Sequence, residues 1–162
     1  IYTPMKRKTG LNTLVGAVSG ALPPLIGWAG AGGVFNIFAP YFLFGLLFLW
    51  QLPHFVAINW MYREEYESAG FIMWSNGDLD GNKTARLAIV FSIILVVLIA
   101  VSAFANFINI LAVIGLLLLS LYKVVFAVRF KLMPSRDKAK RLFLYTLLYL
   151  PLSLTLLILG WK

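Results

Sequence analysis

Between Lys8 and Arg63 lie 54 residues without a formal charge. Wound as one helix they would reach about 81 Å, at about 1.5 Å per residue. The hydrocarbon layer of a bilayer is only about 30 Å thick. The stretch therefore has to cross a membrane twice. Gly30, Gly32, Gly33, Asn36 and Pro40 supply the break between the two crossings. From Leu87 to Tyr122 another 36 residues carry no charge, and they too overshoot a single crossing. A turn near Asn106 to Asn109 divides them into a hairpin. At 61% hydrophobic and 12% charged residues the chain falls far from soluble domains, where about a quarter of residues are charged. Soluble globular folds and disorder are excluded. With no cysteine there is no disulfide framework and no thiolate chemistry.

These limits predict an all-α polytopic membrane bundle of five transmembrane helices, forming one domain over 1–162. The spans are expected near 12–28, 40–61, 85–104, 107–127 and 142–161, with a polar loop over 62–84. Lys123 is expected to snorkel from the end of the fourth span. Pro23 and Pro24 remove two backbone donors and are expected to kink the first span. Gly16 and Gly20 form a small-xxx-small pair that suits close helix packing. The chain opens Ile1-Tyr2-Thr3-Pro4, with no initiator Met and no signal-peptide pattern, and reads as a piece of something longer.

Positive charge is partitioned. Lys6, Arg7 and Lys8 precede the first span; Arg63, Lys83 and Arg86 lie between the second and third. Arg129, Lys131, Arg136, Lys138, Lys140 and Arg141 lie between the fourth and fifth. Five crossings put all three groups on one side, which the positive-inside rule makes the cytoplasm or its organellar equivalent. The net charge of +8 follows from this asymmetry and needs no nucleic-acid partner.

Five of the six acids (Glu64, Glu65, Glu67, Asp78, Asp80) fall within 17 residues of one loop. Such a loop can be merely solvated. The helix leading into it adds information. At helical spacing Gln51, His54, Ile58, Tyr62 and Glu65 share a stripe about 80° wide, at about 100° per residue. Polar groups in lipid are costly, so this stripe should face the bundle interior or a wet cavity. His54 is the only histidine. It suits a hydrogen bond to a neighbouring helix, a metal, haem iron or propionate, or a proton shuttle. Trp50, Phe55, Trp60, Tyr62, Tyr66, Phe71 and Trp74 crowd the same region. They fit an interfacial belt or a cavity whose aromatic faces stabilise a carbocation. Tyr2, Lys6, Arg7 and Lys8 anchor the chain at the positive face. They also suit a diphosphate clamp opposite carboxylates that hold Mg²⁺.

The blocks Tyr2-Thr-Pro-Met-Lys6-Arg7-Lys8, Asn12-Thr-Leu-Val-Gly16-Ala, Ala21-Leu-Pro23-Pro24-Leu-Ile-Gly27-Trp28, Trp50-Gln51-Leu-Pro53-His54-Phe55, Arg63-Glu64-Glu65-Tyr66 with Ala69-Gly70, and Arg141-Leu-Phe with Leu150-Pro151-Leu cover nearly the whole chain. Together they resemble the haem-farnesylating branch (protoheme IX farnesyltransferases, haem O synthases) of UbiA-type intramembrane prenyltransferases. The resemblance implies the last five helices of a nine-helix bundle, with the site open to the cytoplasmic or matrix side. It implies that a farnesyl group passes from farnesyl diphosphate to a vinyl group of haem B, giving haem O, with Mg²⁺ as cofactor. It places the protein in membrane lipid, as in the bacterial inner membrane, and makes haem A synthase a candidate partner.

On the matching positions, the resemblance assigns Glu64 and Glu65 to Mg²⁺, Arg63, Lys6 and Arg7 to diphosphate, and Tyr2 to a supporting hydrogen bond. His54 becomes a haem contact, flanked by Gln51 and Tyr62 on the substrate-facing stripe. Arg63, Glu64 and Glu65 form the catalytic set. The family's first acidic motif is absent from this chain. Where the family usually reads Arg-Glu-Asp-Tyr, this chain has Glu65, which moves the carboxylate outward by about one methylene against the tight octahedral demand of Mg²⁺. Two other readings stay open. One is a UbiA-type enzyme acting on a quinone precursor; the other is a transporter built on kinked helices.

Overall fold

A computed structural model describes residues 7–162. Seven helices follow in order: α1 (Asn12–Ala21), α2 (Pro23–Gly30), α3 (Phe38–Met61), α4 (Arg63–Ser68), α5 (Asn82–Ser102), α6 (Ile110–Leu132) and α7 (Arg136–Gly160). Among the described residues the one extended pairing is an isolated bridge between Ile108 and Trp161. Five segments are long and apolar enough to cross a bilayer: Asn12–Gly30, Phe38–Met61, Asn82–Ser102, Ile110–Leu132 and Arg136–Gly160. Val97, Leu118, Leu148 and Ile158 are among the large aliphatics left exposed on outward faces, as suits a bundle that crosses a bilayer. The chain is an integral membrane protein.

Local chemistry places the helix ends. The Pro23–Pro24 pair breaks the first span: α1 stops at Ala21 and α2 starts with both prolines in its first turn, where their missing donors cost nothing. Leu22 between them keeps right-handed helical angles, so the break is a bend rather than a loop. The other interior prolines, Pro53 in α3 and Pro151 in α7, are carried within continuous helices. Asn109 caps α6 by accepting from the Ala112 amide at 2.8 Å. Ser135 caps α7 through the Lys138 amide.

The helix α3 is central. It packs against α1, α2, α5 and α7, while α5 packs on α6 and α6 on α7. α3, α5, α6 and α7 thus close a four-helix ring, with α1 and α2 on the flank of α3. In one half of the ring the core is bulky, built on Phe42, Leu46, Leu95, Leu116 and Tyr149. In the other half Ala57, Ala85, Ala88, Ala127 and Ala139 are fully buried and let the helices approach closely around Trp60 and Phe130. The basic ends meet in this second half. Trp60 and Phe130 pack edge to face at 5.1 Å, and Lys131 hydrogen-bonds Asn82. The opposite end is tied by Trp28, Phe38, Phe107 and Trp161.

Lys123 departs from the snorkelling expectation. It is 0% exposed, with its Nζ 4.7 Å from the centre of the Tyr149 ring. It lies on the face of α6 that carries Ser120, and Ser120 pairs with the Tyr149 hydroxyl at 2.8 Å. The ring face accepts the cation because that side of α6 points into the bundle rather than along its edge.

Gly81 opens α5 at φ +67°, and a Cβ there would lie 3.1 Å from the Trp60 ring and 3.2 Å from Phe130. Gly81→Ala is expected to lower stability by about 1–2 kcal/mol from backbone strain alone, and more with the ring contacts. A lower unfolding midpoint of the detergent-solubilised protein checks this.

Candidate active site

The polar residues of α3 are held by neighbouring helices. Gln51 is buried and donates from Nε2 to the Ala17 carbonyl at 2.7 Å. A Cβ on Gly20 would sit 2.5 Å from Gln51 Oε1, so this glycine makes the room for that bond. Gln51 therefore joins α1 to α3. Trp50 Nε1 donates to the Thr146 carbonyl at 2.7 Å. His54 lies between two rings, with Phe143 stacked at 4.6 Å and Trp50 at 5.8 Å.

The His54 tautomer follows from its partners. Thr146 Oγ1 gives its one proton to the Phe143 carbonyl at 2.5 Å. Toward His54 Nδ1, 2.9 Å away, it can then only accept. A neutral His54 would then donate from Nδ1 and leave Nε2 as its acceptor.

His54 lines a cavity of about 190 Å³ where α1, α3 and α4 converge. From α3 come also Phe55, Ile58 and Asn59; from α1, Asn12 and Thr13. Tyr66 of α4 and Met73 complete the wall. Asn12 Nδ2 donates to the Ile72 carbonyl at 2.8 Å, tying α1 to the acidic loop. Ser75 Oγ donates to the Asn59 carbonyl at 3.0 Å and ties the same loop to α3. Asn12, Thr13 and Asn59 are absent from the sequence-based reading, whereas Tyr66 is one of the aromatics it offered for a belt or a cavity wall. Asn59 was legible as an amide in an apolar helix, one turn beyond Phe55. Asn12 and Thr13 come near His54 only through the packing of α1 on α3.

The expected stripe from Gln51 to Glu65 is not continuous. Tyr62 ends α3 at φ −115°, ψ 28°, and the chain turns before α4 begins. Glu65 consequently leaves the line of His54. It is exposed, without a side-chain partner among the described residues. Arg63 folds back: its guanidinium lies 4.9 Å from the centre of the Trp60 ring, donates to the Trp60 carbonyl and pairs with Glu64 at 3.2 Å. The catalytic set expected at 63–65 thus holds one ion pair, and Glu65 stands apart from it. Arg7 is exposed, and Tyr2 and Lys6 lie outside the described residues.

The other loop acids have structural partners. Glu67 accepts from the Gly77 amide at 3.2 Å. Asp78 is buried and caps α5, accepting from the amides of Lys83 at 3.0 Å and Thr84 at 2.8 Å. Its carbonyl accepts from Trp60 Nε1 at 2.8 Å. The Asn82 side chain holds the Asp80 carboxyl below the usual carboxylate range. Magnesium takes about six oxygen ligands in tight octahedral geometry. Among the described residues no group of three or more Asp, Glu or His gathers for a metal, so these residues do not form a magnesium site by themselves.

A second hollow, about 350 Å³, opens beside the first. Ile58 borders both. Tyr62, Arg136, Lys140 and Phe143 line it, and Arg136 covers the Tyr62 ring at 5.5 Å.

Five crossings with two neighbouring hollows at their basic end define an α-helical intramembrane protein. The UbiA prenyltransferase family matches residues 1–157, and the chain belongs to that family. It is 41% identical over 160 residues to "Protoheme IX farnesyltransferase" of Solibacter usitatus (strain Ellin6076), covering 99% of this chain and 54% of that protein. It is 35% identical over 161 residues to the protein of the same name from Salinibacter ruber (strain DSM 13855 / M31), covering 99% and 56%. Over 92 residues it is 46% identical to "Protoheme IX farnesyltransferase, mitochondrial" of Yarrowia lipolytica (strain CLIB 122 / E 150), covering 56% and 20%. The chain spans about half the length of the bacterial relatives it matches. No solved structure matches it significantly.

Asp78→Ala is expected to destabilise the protein by about 1–2 kcal/mol through loss of the α5 cap. Glu65→Gln should leave the unfolding midpoint unchanged. Parallel thermal unfolding of the two variants distinguishes a capping acid from a free one.

Proposed function

We propose that the full-length protein transfers a farnesyl group from farnesyl diphosphate to a vinyl group of haem B, with addition of water, giving haem O. The observation that carries this reading is the 35–41% identity, across 99% of the chain, to the two bacterial proteins named for farnesylation of protoheme IX. Family membership favours prenyl transfer over a transporter, and those names favour haem over a quinone precursor. The site is taken to face the bacterial cytoplasm, or the matrix in an organelle, with haem A synthase as the consumer of the product.

In this reading Tyr66, Phe55 and the His54–Phe143 stack give the cavity aromatic walls. Such walls exclude water from an allylic cation and hold the haem vinyl group within reach. His54 contacts haem at the cavity edge. Arg63, Lys6 and Arg7 serve the diphosphate, and Tyr2 supports it with a hydrogen bond. The reading includes Mg²⁺, for which Glu64 and Glu65 are the carboxylates this chain brings, the remaining ligands lying outside it.

The full-length protein, given haem B and farnesyl diphosphate, is expected to yield a farnesylated haem identified by mass; a prenylated hydroxybenzoate instead would move the assignment to the quinone branch. Glu65→Gln should slow haem O formation at least about tenfold, the scale on which lost electrostatic stabilisation is felt. A normal rate would remove Glu65 from the site. Thr146→Val, which strips His54 Nδ1 of its acceptor, should reduce kcat/KM while Thr146→Ser retains it.

A further inference from the structure

We infer that the hollow between Tyr62 and Phe143 holds the carboxylate edge of the porphyrin substrate, with Arg136 and Lys140 as its cationic contacts. This rests on the proposed function for the identity of the substrate, and on the geometry for the position. Protoheme IX is an amphiphile: a flat apolar ring with two propionates on one edge. Such a molecule needs an apolar wall bordered by cations.

The hollow has both. Phe143, Ile58 and Leu144 are apolar lining, while Arg136 and Lys140 are cationic. The two cations are four residues apart on α7, hence neighbours on one helix face. The Arg136 guanidinium rests on Tyr62, which orients it while leaving its N–H edge for an anion. Neither Arg136 nor Lys140 has a carboxylate partner among the described residues. Asp137 also borders the hollow without pairing with either cation, and leaves a net charge of +1 from these three side chains. Among the described residues, the cavity around His54, by contrast, has no Arg or Lys in its lining.

The two hollows are contiguous through the right residues. Ile58 borders both, and Phe143, which lines the basic hollow, stacks on His54, which lines the other. A ring anchored by its carboxylates at Arg136 and Lys140 would pass over Phe143 toward His54. Its uncharged edge, which carries the vinyl groups, would then approach the aromatic cavity. Arg136 and Lys140 are in this sense specificity-determining residues for a dianionic porphyrin.

The test uses the full-length protein in nanodiscs of neutral lipid, unmodified and as Arg136→Gln/Lys140→Gln. Haem B and its dimethyl ester, which lacks the charged carboxylates, are titrated by absorbance, and the KM for farnesyl diphosphate is measured alongside. The double variant should weaken haem B binding about tenfold or more, the scale of a lost charge-assisted contact. Its affinity for the ester and its KM for farnesyl diphosphate should not change. Arg136→Lys/Lys140→Arg, which keeps the charges, should retain most of the affinity for haem B.

Unchanged haem B affinity would overturn the inference. So would equal losses for haem B and ester, which would mean packing, or a matching rise in the KM for farnesyl diphosphate, which would make the hollow a diphosphate site. Loss of a co-purifying acidic phospholipid, with haem affinity intact, would make it a lipid-headgroup site and overturn the inference too. If the unmodified protein forms no haem O, the proposed function fails. If it forms haem O while the double variant binds haem B normally, only the inference fails.

Discussion

A polar group inside a bilayer has no water to turn to, so it must be satisfied by another part of the same protein. In this chain that constraint converges on α3. Gln51 reaches α1, Trp50 and His54 reach Thr146 on α7, and Trp60 reaches the carbonyl of Asp78 ahead of α5. Dispersion between apolar side chains holds helices together without choosing their register, because lipid tails offer nearly the same contact. These directional bonds specify which turn of each neighbour meets α3. Replacing any one of them leaves a buried donor or acceptor unpaired, which costs about 1–3 kcal/mol.

The same bonds position the chemistry. The Thr146 side chain and carbonyl engage both His54 and Trp50, so the ring of His54 is fixed in plane and in tautomer by α7 rather than by its own helix. Phe143, one turn earlier on α7, closes the stack. Asp78 caps α5 and accepts Trp60 through its carbonyl, which sets the acidic loop over the end of α3. The loop is thereby structured, with Glu65 the one loop carboxylate that has no partner among the described residues, rather than a strand of solvated charge.

The helical class and the five crossings were legible because they follow from one-dimensional quantities: lengths of uncharged sequence set against the thickness of a membrane. The break between Gly30 and Phe38 and the turn between Ser102 and Ile110 follow from the same reasoning, and the break at Pro23 follows from its missing backbone donor. What was not legible depends on partners distant in sequence. Lys123 stands next to a basic run and so resembles a snorkelling side chain; Tyr149, 26 residues on, draws it inward. The polar stripe reads as continuous only if α3 continues past Tyr62, and the turn there moves Glu65 aside. Asn12 and Thr13 became part of the cavity through the docking of α1. The acids of the loop read alike in sequence, whereas the fold employs Glu67 and Asp78 as backbone acceptors and leaves Glu65 open.

At the end of the bundle away from the basic residues, the chain terminus is laced into the hairpin between α5 and α6. The Asn109 amide donates to the Gly160 carbonyl at 2.8 Å, the Lys162 amide donates to the Phe107 carbonyl at 3.1 Å, and Trp161 packs on Phe107 and Trp28. A Cβ at Gly160 would come within 2.3 Å of the Ala112 Cβ, so the backbones are nearly touching there. Main-chain bonds thus hold this extremity together, whereas at the basic extremity Trp60 and Lys131 hold the helices through their side chains, so a side-chain substitution can loosen the second without touching the first.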